Sequence, residues 1–396
     1  MKGKRILICC NRILSLGGIE KSLTTLLRAF DLAHNDVTLV LYDDKGVLFK
    51  ELPTQNLKIF YTSSIDATAM LKDDLRHFRI IEVAKGLWNR LLLRLDPYWY
   101  TRIKYYYRLI RRKLVFSGHF DCAISFTTDY SDMAMVCSVN ADKRVAFVHA
   151  DATKGKRAAR VNDWLLRRMD KVYAVSEKAK ELFLKVHPKC EKTADVLHNV
   201  ALPEDILAKA EMPVDDWKQD DVVSLCTVGR LAAEKGQQMV PQIAAGLRAA
   251  GHRFRWYLVG DGAMRSQLEQ EIASLGLEDC VLLMGSKPNP YPYMKKCDIY
   301  VQPSVTEAYC TTIVEAQILC KPIVVTDVPG VREQISHGKD GLIVNCATPE
   351  ALTAEIKKLF DEPKMREAFW QALKQNLRDY TAELQKLYDY IEGRSR

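Results

Sequence analysis

The chain has 396 residues, 48% hydrophobic and 27% charged, proportions that exclude a disordered, collagen-like or multi-span membrane protein. At roughly one to two hundred residues per domain, the length predicts two domains of similar size, each with its own core. The net charge of +8 suggests an anionic partner, and where the excess sits matters more than its size.

Short β-branched apolar runs alternate with helix-length periodic stretches along most of the chain, the signature of parallel sheets covered by helices, so the fold class is α/β. In the first half the predicted strands are Ile6 to Cys10, Val37 to Tyr42, Cys122 to Phe126, Val145 to His149, Val172 to Val175 and Asp195 to Leu197. In the second half they are Val222 to Val228, Tyr257 to Gly260, Val281 to Met284, Ile299 to Gln302, Ile323 to Thr326 and Leu342 to Val344. Between the halves, Leu202 to Asp221 holds Pro203, Pro213 and a cluster of aspartates, and reads as an exposed connector. The expected division is 1–203, 204–372, and a terminal piece 373–396 that is helical and either caps its own domain or packs back on the first. After Pro363 the sequence reads as helix to the end.

The segment Arg76 to Lys113 breaks this rhythm. Its eleven Lys and Arg stand against Glu82 and Asp96, a net of +9 that accounts for the whole excess charge. On a helical wheel Trp99, Tyr100, Ile103, Tyr106, Tyr107, Ile110 and Leu114 share one arc with Lys104, Arg108, Arg111 and Arg112 beside it. Two readings fit 76–114: a basic amphipathic helix lying on an anionic membrane, or a charged face over a side buried in the core. A second basic cluster runs from Lys154 to Lys171. No apolar run reaches the roughly 18 residues of a spanning helix, and Met1-Lys2-Gly3-Lys4-Arg5 leads straight into a strand, so a cytosolic protein is expected. The eleven cysteines show neither Cys-x-x-Cys nor zinc spacing and read as reduced, mostly buried residues.

Four motifs carry chemistry. Gly17 and Gly18 follow the first strand and open a helix, where backbone amides and the helix dipole can hold a phosphate, or where a helix simply starts. Gly229-Arg230…Lys235-Gly236 lies between a strand and a helix, so that an Arg fork and a Lys point charge can meet one diphosphate. Gly260-Asp261-Gly262 marks a tight turn at the next strand end. Most specific is Glu307-Ala308-Tyr309-Cys310-Thr311-Thr312-Ile313-Val314-Glu315: the amides near Cys310, Thr311 and Thr312 sit at a helix start suited to phosphate, with a carboxylate at either end to grip hydroxyls, and Tyr309 beside them is counted with the donor-binding residues. His149 ends the apolar run from Val145 and is either a packed residue or an active-site one.

Together these motifs resemble the retaining glycosyltransferases of family 4, strongly over 222–345 and weakly over 45–120. The resemblance implies the GT-B fold, two facing Rossmann-like domains with a cleft between them, and a terminal helix crossing back to the first domain. It implies that Arg230 and Lys235 hold the diphosphate of a nucleotide sugar, Glu315 the ribose and Glu307 the sugar, with the Gly17-Gly18 loop over the phosphates. Gly260 and the stretch Gly285-Ser286-Lys287 lie where the donor is bound and its base recognised, and His149 and Glu307 are the expected catalytic pair. The family usually has Gly where this chain has Ala308, which is compatible with the same turn if φ stays negative.

No Asp-x-Asp occurs, so no metal and no cofactor are expected: Arg230, Lys235 and helix-end amides would neutralise the leaving diphosphate. The expected reaction moves a hexose or N-acetylhexosamine, from a UDP-sugar as the commoner donor, to a saccharide acceptor, lipid-linked, in bacterial capsule, O-antigen or exopolysaccharide synthesis. The expected location is the inner face of the cell membrane, held peripherally, with no nucleic-acid partner. Two alternatives stand beside it: a nucleotide-sugar epimerase on the same fold, and a basic nucleic-acid-binding protein that would need neither the glutamate pair nor the diphosphate loop.

Overall fold

The computed structural model describes residues 3–63, 118–149, 163–218, 221–376 and 378–394. The described chain splits into two units: Met1–Val175, Ala179–His198 and Glu383–Arg396 form the first, and Ser176–Lys178 with Asn199–Ala382 the second.

The first unit is built on a seven-stranded, all-parallel sheet of order β3-β2-β1-β4-β5-β6-β7. Its strands are β1 (Arg5–Cys9), β2 (Asp36–Leu41), β3 (Leu57–Tyr61), β4 (Phe120–Ser125), β5 (Ala141–Val148), β6 (Lys171–Ala174) and β7 (Ala194–Val196). The central strands are buried along nearly their whole length, Ile6, Leu7, Ile8 and Cys9 completely so. That continuous burial is why they read as unbroken apolar runs rather than as alternating ones. Strand β3 has no counterpart among the expected strands. It is an edge strand, half-buried along Leu57-Lys58-Ile59-Phe60-Tyr61, so its apolar signal is interrupted by Lys58.

The second unit has a six-stranded parallel sheet of order β10-β9-β8-β11-β12-β13. The strands are β8 (Val223–Val228), β9 (Phe254–Val259), β10 (Val281–Gly285), β11 (Ile299–Gln302), β12 (Ile323–Thr326) and β13 (Gly341–Val344). One face packs on the helices Val240–Ala249 and Pro349–Asp361 through Leu225, Val240, Ile243, Trp256, Leu352 and Ile356. The other packs through Tyr300 and Val325 on Met294, Ile313 and Val314. In each sheet the strand order reverses next to the first strand, between β1 and β4 and between β8 and β11. Such switch points open a crevice at the carboxyl ends of the strands, where ligands bind in folds of this type.

Two expectations need correction. Leu202 to Asp221 is not all exposed connector: Pro203–Ala210 is a helix with Pro203 in its first turn, and Ile206 and Ala210 are buried in the core of the second unit. Residues after Pro363 do not form one helix either. Pro363–Gln375 ends, Tyr380 inserts into the second unit's core, and a separate helix Ala382–Glu392 begins. That last helix buries Leu384, Leu387 and Ile391. Tyr388 lies edge-on to Phe30 and accepts a hydrogen bond from the Asp31 amide at 2.7 Å, while Glu383 meets His198 at 2.9 Å. The basic segment 76–114 lies outside the described residues, as do Lys154, Lys156, Arg157 and Arg160. No helix among the described residues is long and apolar enough to cross a membrane, and all eleven cysteines are free.

Candidate functional site

The switch point of the second unit gathers the motif residues. Its loops are locked to one another by backbone. The Gly229 amide donates to Val259 O, Leu231 to Asp261 O and Gly260 to Gly285 O, at 2.9–3.0 Å. Gly260 has φ +148°, and a Cβ there would fall 1.9 Å from Gly229 O; only glycine lets the β8 and β9 loops stack so closely. On the other side of the switch, the amides of Val305 and Thr306 donate to Glu234 O at 2.9 and 3.3 Å. Gly236, in the left-handed region at φ +73°, lies against Pro303 O. The loop after β11 is thereby pressed onto the loop after β8, across the crevice.

That clamp brings Lys235 and Glu307 together, with Nζ 2.5 Å from Oε1. Burial alone would lower the Lys235 pKa, but the Glu307 carboxylate, with smaller help from Cys310 and Glu234, holds it above the ordinary lysine value, so the ammonium is charged at any working pH. Glu307 Oε1 also accepts from Ser304 Oγ at 2.9 Å. Cys310 is the N-cap of the helix Thr311–Ile318 and its side chain does not cap it, so the first amides of this helix, at Thr311 and Thr312, carry the positive end of the dipole. Burial pushes the Cys310 thiol up to about 12, which makes it an apolar neighbour rather than a nucleophile. Glu315 lies on this helix and is almost wholly buried, while Tyr309 packs half-buried against the core. Ala308 is absent from the non-glycine residues at positive φ, which among those described are Asn56 and Cys320. It makes the turn without strain.

Other expected residues lie further out. Arg230 is 67% exposed and its guanidinium bonds Glu234 at 2.8 Å rather than turning in beside Lys235. The Lys287 ammonium is 2.6 Å from Asp216, whose other oxygen takes the Tyr293 hydroxyl. It is thus tied to the segment before β8, while Ser286 next to it is exposed. Sequence reasoning missed Ser304 and Gln302, although Pro303-Ser304 directly after a strand was a readable turn signal.

The first unit has its own cluster at the carboxyl ends of β1, β4 and β5. Gly17 is the N-cap of the helix Gly18–Ala29, but the amino end of that helix already holds a carboxylate. Glu20 folds back so that a Cβ on Gly17 would lie 2.1 Å from its Oε2, and Arg12 approaches it at 3.5 Å. Arg12 also bonds Asp129 at 2.7 Å. Asp132, fully buried, accepts from the Asn11 amide and the Thr127 hydroxyl, each at 2.8 Å. Burial lifts its pKa to about 7. His149 follows β5 between Phe126 and Phe147, ring centroids 4.7 and 6.0 Å away. Burial, then the charge of Arg12, lowers its pKa to about 3, while a backbone hydrogen bond with Phe126 works the other way. Its Nε2 is shielded from solvent and has no hydrogen-bond partner among the described residues. At neutral pH it is therefore a neutral imidazole, able to accept a hydrogen bond from a hydroxyl but a weak base. Among the described residues no cluster of His, Cys, Asp and Glu could hold a metal ion.

Two Rossmann-like units with all-parallel sheets define the GT-B fold, and solved structures of that fold align over nearly the whole chain. Anabaena Alr3699/HepE in complex with UDP covers 98% of this chain and 100% of its own at TM-score 0.68 and 18% identity. The lipopolysaccharide-biosynthesis glycosyltransferase WaaG covers 98% and 100% at TM-score 0.66 and 15% identity. At such identities the likeness shows the fold alone. Residues 211–376 match the family described as "Glycosyl transferases group 1", and it is there that the Lys235–Glu307 site lies. The alpha-D-kanosaminyltransferase of Streptomyces kanamyceticus is 35% identical over 151 residues, 37% of this chain and 39% of its own. An N-acetylgalactosaminyltransferase of Campylobacter jejuni, which acts on N-acetylgalactosamine-N,N'-diacetylbacillosaminyl-diphospho-undecaprenol, is 29% identical over 179 residues, 45% and 47% of the two chains. The chain thus spans about half the length, or less, of these relatives.

Proposed function

We propose that the chain is a glycosyltransferase that moves a hexose or N-acetylhexosamine from a UDP-sugar to a lipid-linked saccharide in bacterial surface polysaccharide synthesis, with retention of configuration. The observation that carries this reading is the Lys235–Glu307 pair at the β8/β11 switch point. A fixed cation beside the amino end of the helix Thr311–Ile318 suits a departing diphosphate, and a carboxylate next to it suits the hydroxyls of the sugar being released. Glu315, deeper on the same helix, takes the ribose hydroxyls, and Gly260 with Ser286 borders the base. Arg230 joins the diphosphate by leaving Glu234, an exposed pair worth at most about 1 kcal/mol. The charge on the leaving group is neutralised by these groups without a metal. No carboxylate is assigned as a covalent nucleophile, so departure and attack occur on one face of the sugar.

In the first unit, the neutral Nε2 of His149 accepts a saccharide hydroxyl. The acceptor's lipid anchor lies at an anionic membrane surface. In support stand the half-exposed Trp164 and the guanidinium of Arg168 over its ring at 3.8 Å, an amphipathic pair of the kind that settles at membrane interfaces. The test is a thermal-shift and turnover screen of the purified chain against UDP-glucose, UDP-N-acetylglucosamine, GDP-mannose and ADP-glucose. UDP-sugars are expected to stabilise the protein and to release UDP. A chain that none of the UDP compounds stabilises, and that releases no UDP, overturns the proposal.

A further inference from the structure

The strand that delivers Glu307 ends in a buried polar chain. Tyr300, Gln302 and Ser304 are all at most 1% exposed, and polar groups that far from water are costly unless every one is hydrogen-bonded. Here they are. Gln302 Oε1 accepts from the Tyr300 hydroxyl at 2.8 Å and from Thr312 Oγ1 at 3.0 Å. The ion-paired Glu307 carboxylate can only accept, so Ser304 must give it its one hydroxyl proton, and the Gln302 atom facing Ser304 is the amide nitrogen, donating to Oγ at 2.8 Å. Ser304, having accepted, sends its own proton to Glu307 Oε1 at 2.9 Å. Every donor along the path points toward the carboxylate. Lys235 arrives at the same oxygen, which leaves Oε2 as the oxygen for a ligand hydroxyl. The path also branches through Thr312, in the first turn of the helix Thr311–Ile318, so the helix end and the carboxylate are held to one strand.

We propose that Gln302 and Ser304 are positioning residues for Glu307: the one-directional chain from Tyr300 and Thr312 fixes the rotamer of the carboxylate and keeps Oε2 turned to the sugar. This rests on the reading of Glu307 as the sugar-holding group. A purely apolar core at β11 would pack with less polar burial, and a chain that served packing alone would have no reason to end on the ion-paired glutamate. Ordered hydrogen bonds polarise one another in a dry interior, so breaking one link loosens those beyond it.

The test uses the full chain. Ser304→Ala removes the last link, Gln302→Met removes the amide at nearly constant shape, and Ser304→Thr keeps the hydroxyl. Three quantities are read: Kd for UDP alone, which does not call on Glu307, then kcat and KM for the UDP-sugar, and Tm. Ser304→Ala loses a hydrogen bond to a charged group and Gln302→Met the link that aims it, so kcat is expected to fall about 10–100-fold in each. In Ser304→Ala, which leaves the Thr312 branch intact, the Kd for UDP should stay within about twofold, and Ser304→Thr should recover most of kcat. Because the links act in series, the double variant Ser304→Ala/Gln302→Met should be no worse than Ser304→Ala. If the alanine variant fails to fold, Tyr300→Phe, which deletes one hydroxyl at the far end, should still lower kcat with UDP affinity unchanged. A kcat within twofold of the parent, or a loss of kcat matched by an equal loss of UDP affinity, overturns the inference. A parent protein that binds UDP yet releases none from any UDP-sugar overturns the proposed function instead, which separates the two failures.

Discussion

Lys235 Nζ and Glu307 Oε1 lie 2.5 Å apart although the two residues stand on loops that follow different strands, β8 and β11. The amides of 305 and 306 on Glu234 O and the close approach of Gly236 to Pro303 make the meeting point. A cation and a carboxylate half withdrawn from water favour staying paired, which keeps the ammonium charged and fixed.

Lys235→Ala is expected to lower kcat/KM for the UDP-sugar by on the order of 100-fold, the loss typical when a preorganised charge is removed from a developing anion. It also leaves Glu307 without its cation, so Tm should fall. Adding Glu307→Gln to Lys235→Ala should raise Tm again while leaving the enzyme inactive, because a neutral amide tolerates the half-buried position better than an unpaired carboxylate. Thermal denaturation and steady-state kinetics on the three variants check this.

Gly236→Ala should be among the most damaging single-atom-scale changes in the second unit. The residue sits at φ +73°, and a Cβ would meet backbone at Pro303 O, which no rotamer can relieve. A cost of about 1–3 kcal/mol is expected from the strained backbone. The displaced β11 loop should lower turnover more than the same loss of stability introduced elsewhere. Urea titration with parallel kinetics measures both.

The first unit should show opposed pH slopes. Asp132, at about 7 in the fold against an ordinary carboxyl value, keeps its proton when folded and has lost it when unfolded between about pH 4 and 7. Its contribution to stability therefore falls as pH rises through that window. His149, at about 3 in the fold, is neutral when folded and protonated when unfolded below its ordinary value near 6.5, so its contribution rises with pH between about 3 and 6.5. In the parent the two largely cancel between about pH 4 and 6.5. Asp132→Asn should leave a stability that rises by about 1.4 kcal/mol per pH unit there, and His149→Gln one that falls by about as much. Denaturant midpoints at pH 5 and pH 6.3 would show the signs, and a flat profile in both variants would contradict them.

Activity should be indifferent to chelation. On the proposal that Lys235, Arg230 and helix-end amides meet the leaving charge, excess EDTA is expected to leave UDP release unchanged. A chelator-sensitive rate restored by a divalent cation would place a metal in the reaction.

The α/β class, twelve of the strands and the glycine-bearing loops could be read from the chain itself, because a strand buried on both faces must be apolar throughout and loops whose backbones approach closely need glycine. What the sequence could not supply was pairing. Edge strand β3 escaped because one open face lets Lys58 interrupt its signal. The Pro203–Ala210 helix was hidden in a stretch rich in proline and aspartate, since its assignment depends on Ile206 and Ala210 finding the second core. Arg230 and Lys287 read in sequence as donor-binding cations, yet tertiary structure gives each an exposed or half-exposed carboxylate partner and reserves the more buried pair for Lys235. Composition and periodicity thus determined which residues could carry charge and which must be buried. Only folding, by bringing loops from distant strands to one switch point, decided which charges meet, which oxygen of Glu307 is taken, and which proton points toward it.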